Sequence, residues 1–251
     1  MNSDLLVPTI DTHTAGDPTR IVLSGLKRIN IGEGSVEARR DRFAETADWL
    51  RELVLCEPRG HDDMFGAVPV EPSRPEADLG VFFMDTGGYL DMCGHATIGV
   101  VTALIETGQL EQQPVITLET PAGLVEVRPT VTEGSVEQVA VRNVESFYVT
   151  QKILEIECRG KPLEVSIDIV SSGNVVALVD ADQLGLTLDR GNLDTFVELG
   201  ARISDRLNES LDSDEAPISL VEFYESNKSV DQNIVVFGDG AVDRSPCGTG
   251  T

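Results

Sequence analysis

Apolar residues recur along this chain at helical and at strand spacing, and the same succession of segments occurs twice. Phe43, Ala47, Leu50 and Val54 follow one another at spacings of four, three and four behind Ser35, a residue suited to capping a helix. The pattern predicts an amphipathic helix from Ser35 to about Leu55. Phe196, Leu199, Ile203 and Leu207 repeat it, predicting a second helix over about Leu193 to Leu207. Between them, Gly94 to Gly108 carries Ile98, Val100, Val101, Ala103, Leu104 and Ile105 with no charged side chain beyond His95 until Glu106. A run that is apolar on most faces reads as a buried helix, here closed by Gly108 and opened by Cys93. Short strands are predicted at Leu6 to Asp11, Ile21 to Leu23, Ala67 to Val70 and Leu79 to Met84, with a Gly/Pro turn over His13 to Arg20. Alternating segments fill residues 114 to 149.

These segments fall into two copies. Asp85 is followed by seven residues, Cys93-Gly94, two residues and Thr97; Asp239 is followed by seven residues, Cys247-Gly248, two residues and Thr251, at an offset of 154. Val81 and Phe83 recur at the same offset as Val235 and Phe237. Upstream, Ile10-Asp11 matches Ile167-Asp168 and Gly16 matches Gly173 at an offset of 157. The order strand, turn, strand, helix, strands and cysteine thus occurs twice. The expected fold is α/β (α+β), two pseudo-symmetric halves from a duplication. A first half is expected over residues 1–155 and a second over 156–251, with pseudo-twofold packing bringing both cysteines to a cleft between the halves.

Composition narrows the functional classes. With 19 basic against 43 acidic residues the formal net charge is −24, which repels phosphate backbones and anionic lipid. Nucleic-acid and membrane roles are therefore disfavoured, and the scattered acidic residues read as a solvated surface. Met1-Asn2-Ser3-Asp4 does not resemble a signal peptide and no apolar run is long enough to span a bilayer, so a cytoplasmic protein is expected. None of the four cysteines (Cys56, Cys93, Cys158, Cys247) forms C-x-x-C and no histidine spacing completes a zinc site, so neither a disulfide framework nor a metal is expected.

Cys93 and Cys247 carry the candidate chemistry. A cysteine at a helix N-terminus meets unpaired N–H groups and the positive end of the helix dipole, which favour the thiolate. A thiolate that removes a Cα proton and a thiol that returns one from the other face together invert a stereocentre. Backbone N–H groups would hold the substrate carboxylate and the charge that develops. Such a pair titrates as one unit and needs no pyridoxal phosphate, which matters for a secondary amine such as proline.

The strings Asp11-Thr-His-Thr-Ala-Gly-Asp-Pro-Thr-Arg20, Glu57-Pro-Arg-Gly-His-Asp-Asp-Met64, Met92-Cys-Gly-His95 and Asp243-Arg-Ser-Pro-Cys-Gly-Thr-Gly-Thr251 resemble the proline racemase family, which also contains hydroxyproline epimerases and 3-hydroxyproline dehydratases. The resemblance runs over essentially the whole chain. It implies a diaminopimelate epimerase-like fold, no cofactor, a small amino-acid substrate and a homodimer. By the same resemblance Cys93 and Cys247 are the catalytic acid/base pair. Gly94, Gly248 and Thr249 offer backbone donors to the carboxylate, His95 and Asp243 contact the amine, and Phe65 and Phe237 wall the ring. Ala96 stands where the family often has Gly. The chain also stops directly after the second cysteine motif, so a truncated member is expected, with Cys247 on a tail prone to disorder and activity reduced.

Other readings stand beside this one. Cys93 and Cys247 could be small core residues, His95 a packing or capping residue, Asp243 a turn former, and Phe65 and Phe237 plain core. The chain could be a non-catalytic ligand-binding remnant. A dehydratase is disfavoured because that branch resembles the pattern with Thr at the second cysteine, and a redox protein because no redox motif is present. The apolar Phe65 and Phe237 lean toward proline over 4-hydroxyproline, whose extra hydroxyl needs a polar partner. His13 and His61 are expected to organise turns.

Overall fold

The computed structural model describes residues 5–25, 29, 31–211, 216–226, 230–238 and 240–250. Asp239 and Thr251, which begin and end the second copy of the cysteine motif, lie outside the described residues. The chain forms two units, Met1–Val144 and Glu145–Thr251. The boundary expected at 155/156 falls inside a strand, Phe147–Cys158, which pairs along its length with Lys161–Ser171. That hairpin commits residues 147–158 to the second sheet.

In the first unit, β1 (Thr9–Thr14) and β2 (Asp17–Val22) form an antiparallel hairpin. The Gly/Pro turn expected over His13 to Arg20 contracts to Ala15-Gly16, with φ of 53° and 99°. Positive φ at both central residues matches the twist of a tight hairpin, so Pro18 lies inside β2, paired with His13. Helix α1 (Val36–Leu55) crosses from β2 to β3 (Phe65–Val70), which pairs parallel to β2. Ser35 caps α1 as expected: its hydroxyl accepts from Ala38 N at 3.2 Å. The predicted stripe Phe43, Ala47, Leu50 and Val54 is buried against Val68, Phe82 and Met84.

Strand β4 (Leu79–Asp85) returns antiparallel to β3 and carries the short β5 (Tyr89–Leu90) on its end. Helix α2 (Gly94–Glu106) then crosses to β6 (Ile116–Thr120), parallel to β4, and β7 (Gly123–Thr132) and β8 (Ser135–Arg142) complete the sheet. The sheet order is β1-β2-β3-β4-β6-β7-β8. α2 lies on β1 and β2 at close range: a Cβ on Gly99 would stand 2.4 Å from Thr12 Oγ1, so any side chain there requires Thr12 to move.

The second unit repeats this plan. β9 (Phe147–Cys158), β10 (Lys161–Ser171) and β11 (Val175–Asp180) form antiparallel pairs. α3 (Leu193–Glu209) crosses to β12 (Ile218–Glu225), parallel to β11, and β13 (Gln232–Phe237) and β14 (Ala241–Val242) follow antiparallel. The predicted stripe Phe196, Leu199, Ile203 and Leu207 is buried against Val221, Phe223 and Val236. Hairpin, crossover helix, hairpin and short strand therefore precede each cysteine in the same order, as the sequence offsets imply. The expected fold class holds: a mixed α/β protein of two similar units. All four cysteines are free thiols, with Cys158 buried in the second core. Among the described residues no helix is long and apolar enough to cross a membrane.

Candidate active site

The first motif is built on the end of β4. Asp85 closes the turn to β5, its Oδ1 accepting from Gly87 N at 2.8 Å and Gly88 N at 2.6 Å. The chain then delivers Cys93 to the N-cap of α2, where its backbone is extended (φ −144°) and its carbonyl accepts from Thr97 N at 3.0 Å. The sulfur makes no capping bond, so the thiol is not consumed in holding the helix. It lies 3.5 Å from His95 Nδ1, and both side chains are buried. Gly94, half-buried, opens the helix.

His95 is fixed from three sides. Phe65 meets its ring edge-on at a centroid distance of 4.4 Å, and Thr14 Oγ1 donates to its carbonyl at 3.1 Å. Asp17, fully buried on β2, places Oδ2 3.8 Å from Nδ1. Burial lowers the imidazole from its ordinary value to about 4, against an opposing pull from Asp17, so His95 is neutral at physiological pH. His95 thus stands beside Cys93, with Phe65 packed against its ring. Asp17 escaped the sequence reading, although it occupies the repeat position answered by buried Asn174 in the second unit.

A pH dependence follows. The unfolded chain protonates His95 near 6.5 and the folded chain only near 4, so as pH falls between these values the unfolded state binds more protons. The contribution of neutral His95 is complete above pH 6.5 and is lost as pH falls toward 4, by roughly 3 kcal/mol. Denaturant titrations of the chain and of His95→Asn between these pH values should differ by that slope. An NMR midpoint for His95 near the ordinary 6.5 contradicts the buried geometry.

The second motif is held differently. Asp243 N donates to Val235 O at 3.0 Å, and Asp243 Oδ1 accepts from Ser245 N at 2.8 Å and Ser245 Oγ at 2.7 Å. The carboxylate therefore organises its own turn, and Ser245 Oγ in turn accepts from Cys247 N at 3.1 Å. The expectation that Cys247 rests on a disordered tail is overturned: Cys247 is 5% exposed and Thr249 8%. Ser172 Oγ donates to Thr249 O, and Asn233 Nδ2 donates to Pro246 O at 3.0 Å. These bonds pin the segment to the β10–β11 turn and to β13. Thr14 and Ser172 thus play one role in the two units, each bonding the carbonyl two residues beyond a cysteine.

Cys247 itself has φ of 55°, and residues 248–250 form a turn, with Gly250 N donating to Cys247 O at 3.1 Å. Burial, reinforced by the Asp243 carboxylate, pushes the Cys247 thiol up to about 12, so it is held protonated. Thr249 Oγ1 lies 3.6 Å from its sulfur. Gly248 is exposed, and Phe237 is buried on β13 beside Leu220 of β12. Among the described residues no cluster of His, Cys, Asp and Glu could hold a metal.

The sequence profile described as proline racemase matches residues 9–251. A proline racemase of Clostridioides difficile is 40% identical over 257 residues, spanning 98% of this chain and 76% of that protein. A trans-3-hydroxy-L-proline dehydratase of Bacillus cereus is 36% identical, spanning 100% of this chain and 77% of its own length. Among solved structures, a hydroxyproline epimerase from Agrobacterium vitis with bound trans-4-hydroxy-L-proline superposes with a TM-score of 0.86 at 28% identity, covering 96% of this chain and 73% of that one.

Proposed function

The chain belongs to the proline racemase family, and we propose that it inverts the Cα of proline or 4-hydroxyproline with Cys93 and Cys247 as its acid/base pair. The observation that carries this reading is the repeated motif: two buried thiols, each delivered by the same hairpin and short strand, and neither spent in a disulfide. A racemase that uses two acids of the same kind needs one of them ionised and the other protonated. The two environments supply that difference. Cys93 sits at the positive end of α2, whereas Cys247 is buried beside the Asp243 carboxylate. In this reading Cys93 removes the proton first and Cys247 supplies one.

The free N–H groups at the start of α2, with Gly94 first, suit the substrate carboxylate, as do those of Gly248 and Thr249 in the second motif. Neutral His95 can accept from the substrate amine, a role a protonated ring could not fill. Asp243 supplies negative charge near the amine, and the faces of Phe65 and Phe237 suit the apolar ring. A homodimer fits the family, and light scattering of the purified chain checks it. A second reading, dehydration of trans-3-hydroxy-L-proline, is favoured by the similarity to the Bacillus cereus dehydratase. Cys247 speaks against it, because a second acid/base thiol serves inversion and not elimination.

Incubation with L-proline, trans-4-hydroxy-L-proline and trans-3-hydroxy-L-proline, followed by chiral chromatography, separates these readings. Inversion of one of the first two is expected. Loss of water from the third without inversion of the others selects the dehydratase, and no reaction with any sinks the catalytic reading.

A further inference from the structure

Glu222 has no place in the chemistry above, yet it is the buried acid next to the second cysteine. It lies in the middle of β12, is 4% exposed, and points to the sheet face opposite α3, with cross-strand neighbour Val235. A buried carboxyl ordinarily has partners for both oxygens. Here Oε1 accepts from Asn233 Nδ2 at 2.8 Å, whereas Oε2 is buried with no hydrogen-bond partner. The same Asn233 amide donates to Pro246 O, the carbonyl immediately before Cys247. Across Gly250 the approach is direct. A Cβ built on Gly250 would stand 1.9 Å from Glu222 Oε2 and 3.5 Å from Cys247 Sγ, so carboxyl and thiol flank one glycine.

We propose that Glu222 is a positioning residue for Cys247, tied to its backbone through Asn233 and set beside its sulfur across Gly250, whose ionisation withholds the thiolate form of that cysteine. The role rests on the reading of Cys247 as the partner that starts protonated. Among the described residues, the other charged or titratable groups around Cys247 and Glu222 are Asp243 and exposed Arg244 on the cysteine segment, Tyr224 on the same face of β12 with Asp180 across from it on β11, and Asp168 of β10, across Leu178 from Glu222. Facing residues from β13 and the β10–β11 turn, Asn233, Val235, Phe237, Ser172 and Asn174, do not titrate. Burial raises Glu222 above the ordinary glutamate value, which moves its ionisation toward neutral pH. Below that point a neutral acid faces the thiol; above it a second negative charge joins Asp243 and opposes loss of the thiol proton.

The test is the alkylation rate of Cys247 by iodoacetamide from about pH 5 to about pH 9, read peptide by peptide with Cys93 and Cys158 as internal references. A lone thiol well below its own ionisation gives a logarithmic rate rising with unit slope. The expected profile for Cys247 has a flatter stretch where Glu222 ionises. In Glu222→Gln it becomes a straight unit-slope line, lying above the unmodified chain at the alkaline end by about tenfold to a hundredfold for removal of a nearby buried charge. Superimposable profiles for the two proteins overturn the proposal. Should the variant fail to fold, core Cys158 reacts as fast as the others, and the unmodified chain decides alone: an unbroken unit slope at Cys247 overturns the proposal. A flattened profile in a chain that inverts no substrate would remove the catalytic reading and keep this one. Inversion with an unbroken slope would do the reverse.

Discussion

Cys93→Ala and Cys247→Ala are each expected to lower Cα inversion of the preferred substrate by about a thousandfold, within the range of 10²–10⁴ that a positioned acid or base contributes. Both side chains are buried and small, so alanine removes little packing, and the loss should appear in kcat with the fold preserved. The two variants should also differ. A serine hydroxyl is a much weaker acid than a thiol, so Cys93→Ser loses the base outright. Cys247→Ser keeps Cys93 as base and should still exchange the Cα proton of the enantiomer that Cys93 deprotonates, without inverting it. Cα deuterium uptake in heavy water, read on each enantiomer separately, detects this asymmetry. Equal uptake by both enantiomers in both serine variants would contradict the assignment of Cys247 as the thiol at rest.

Phe223→Ala is expected to be the most damaging substitution for the second unit. Its ring is fully buried on β12 and packs against Phe196 of α3 at a centroid distance of 4.9 Å, tilted by 52°. Removing it takes away an aromatic pair and leaves a cavity between helix and sheet, costing about 3–5 kcal/mol. The damage should be local to its own unit, because Glu222 is its neighbour on β12 and Val236, in the same core, precedes Phe237. Chemical denaturation gives the magnitude, and alkylation of Cys247 rising with Cys93 unchanged gives the place. A loss below about 1 kcal/mol would contradict the packing described.

The helices were legible because each is long and its burial is one-sided. Phe43, Ala47, Leu50 and Val54, and again Phe196, Leu199, Ile203 and Leu207, leave no second reading at their spacing, and all eight are buried. The strand ends were less so. Pro18 reads as a turn residue, and only pairing with His13 in a two-residue hairpin shows that it lies in a strand. β9 shows why the boundary shifted: its residues alternate weakly and many stay exposed, so nothing in the pattern distinguishes a closing strand of one unit from the opening strand of the next.

The cysteines themselves were legible through repetition, but their surroundings were not. The first motif continues into α2, so the helix-start reading of Cys93 was secure in the apolar run that follows. For Cys247 the sequence showed the motif but neither its burial nor the Asp243 carboxylate beside it, which together hold the thiol protonated. Asp17, Ser172 and Glu222 were missed because a buried polar residue in a strand carries no sequence signature until its neighbours are known. For Asp17 a faint signal existed, since the offset of 157 that pairs Gly16 with Gly173 also pairs Asp17 with Asn174.

The central claim is that two different groups handle the proton, and the isotope content of the first product molecules tests it most directly. With L-proline or trans-4-hydroxy-L-proline in heavy water, stopped at a few per cent conversion, the substrate and its inverted product are separated and each is assayed for Cα deuterium. A thiol that has exchanged with solvent delivers deuterium to one face while the proton leaves from the other. The product is therefore expected to be deuterated from the first turnover, with the recovered substrate still protiated. Product that keeps its Cα protium would mean that one group removes and returns the same proton, contradicting the two-cysteine account.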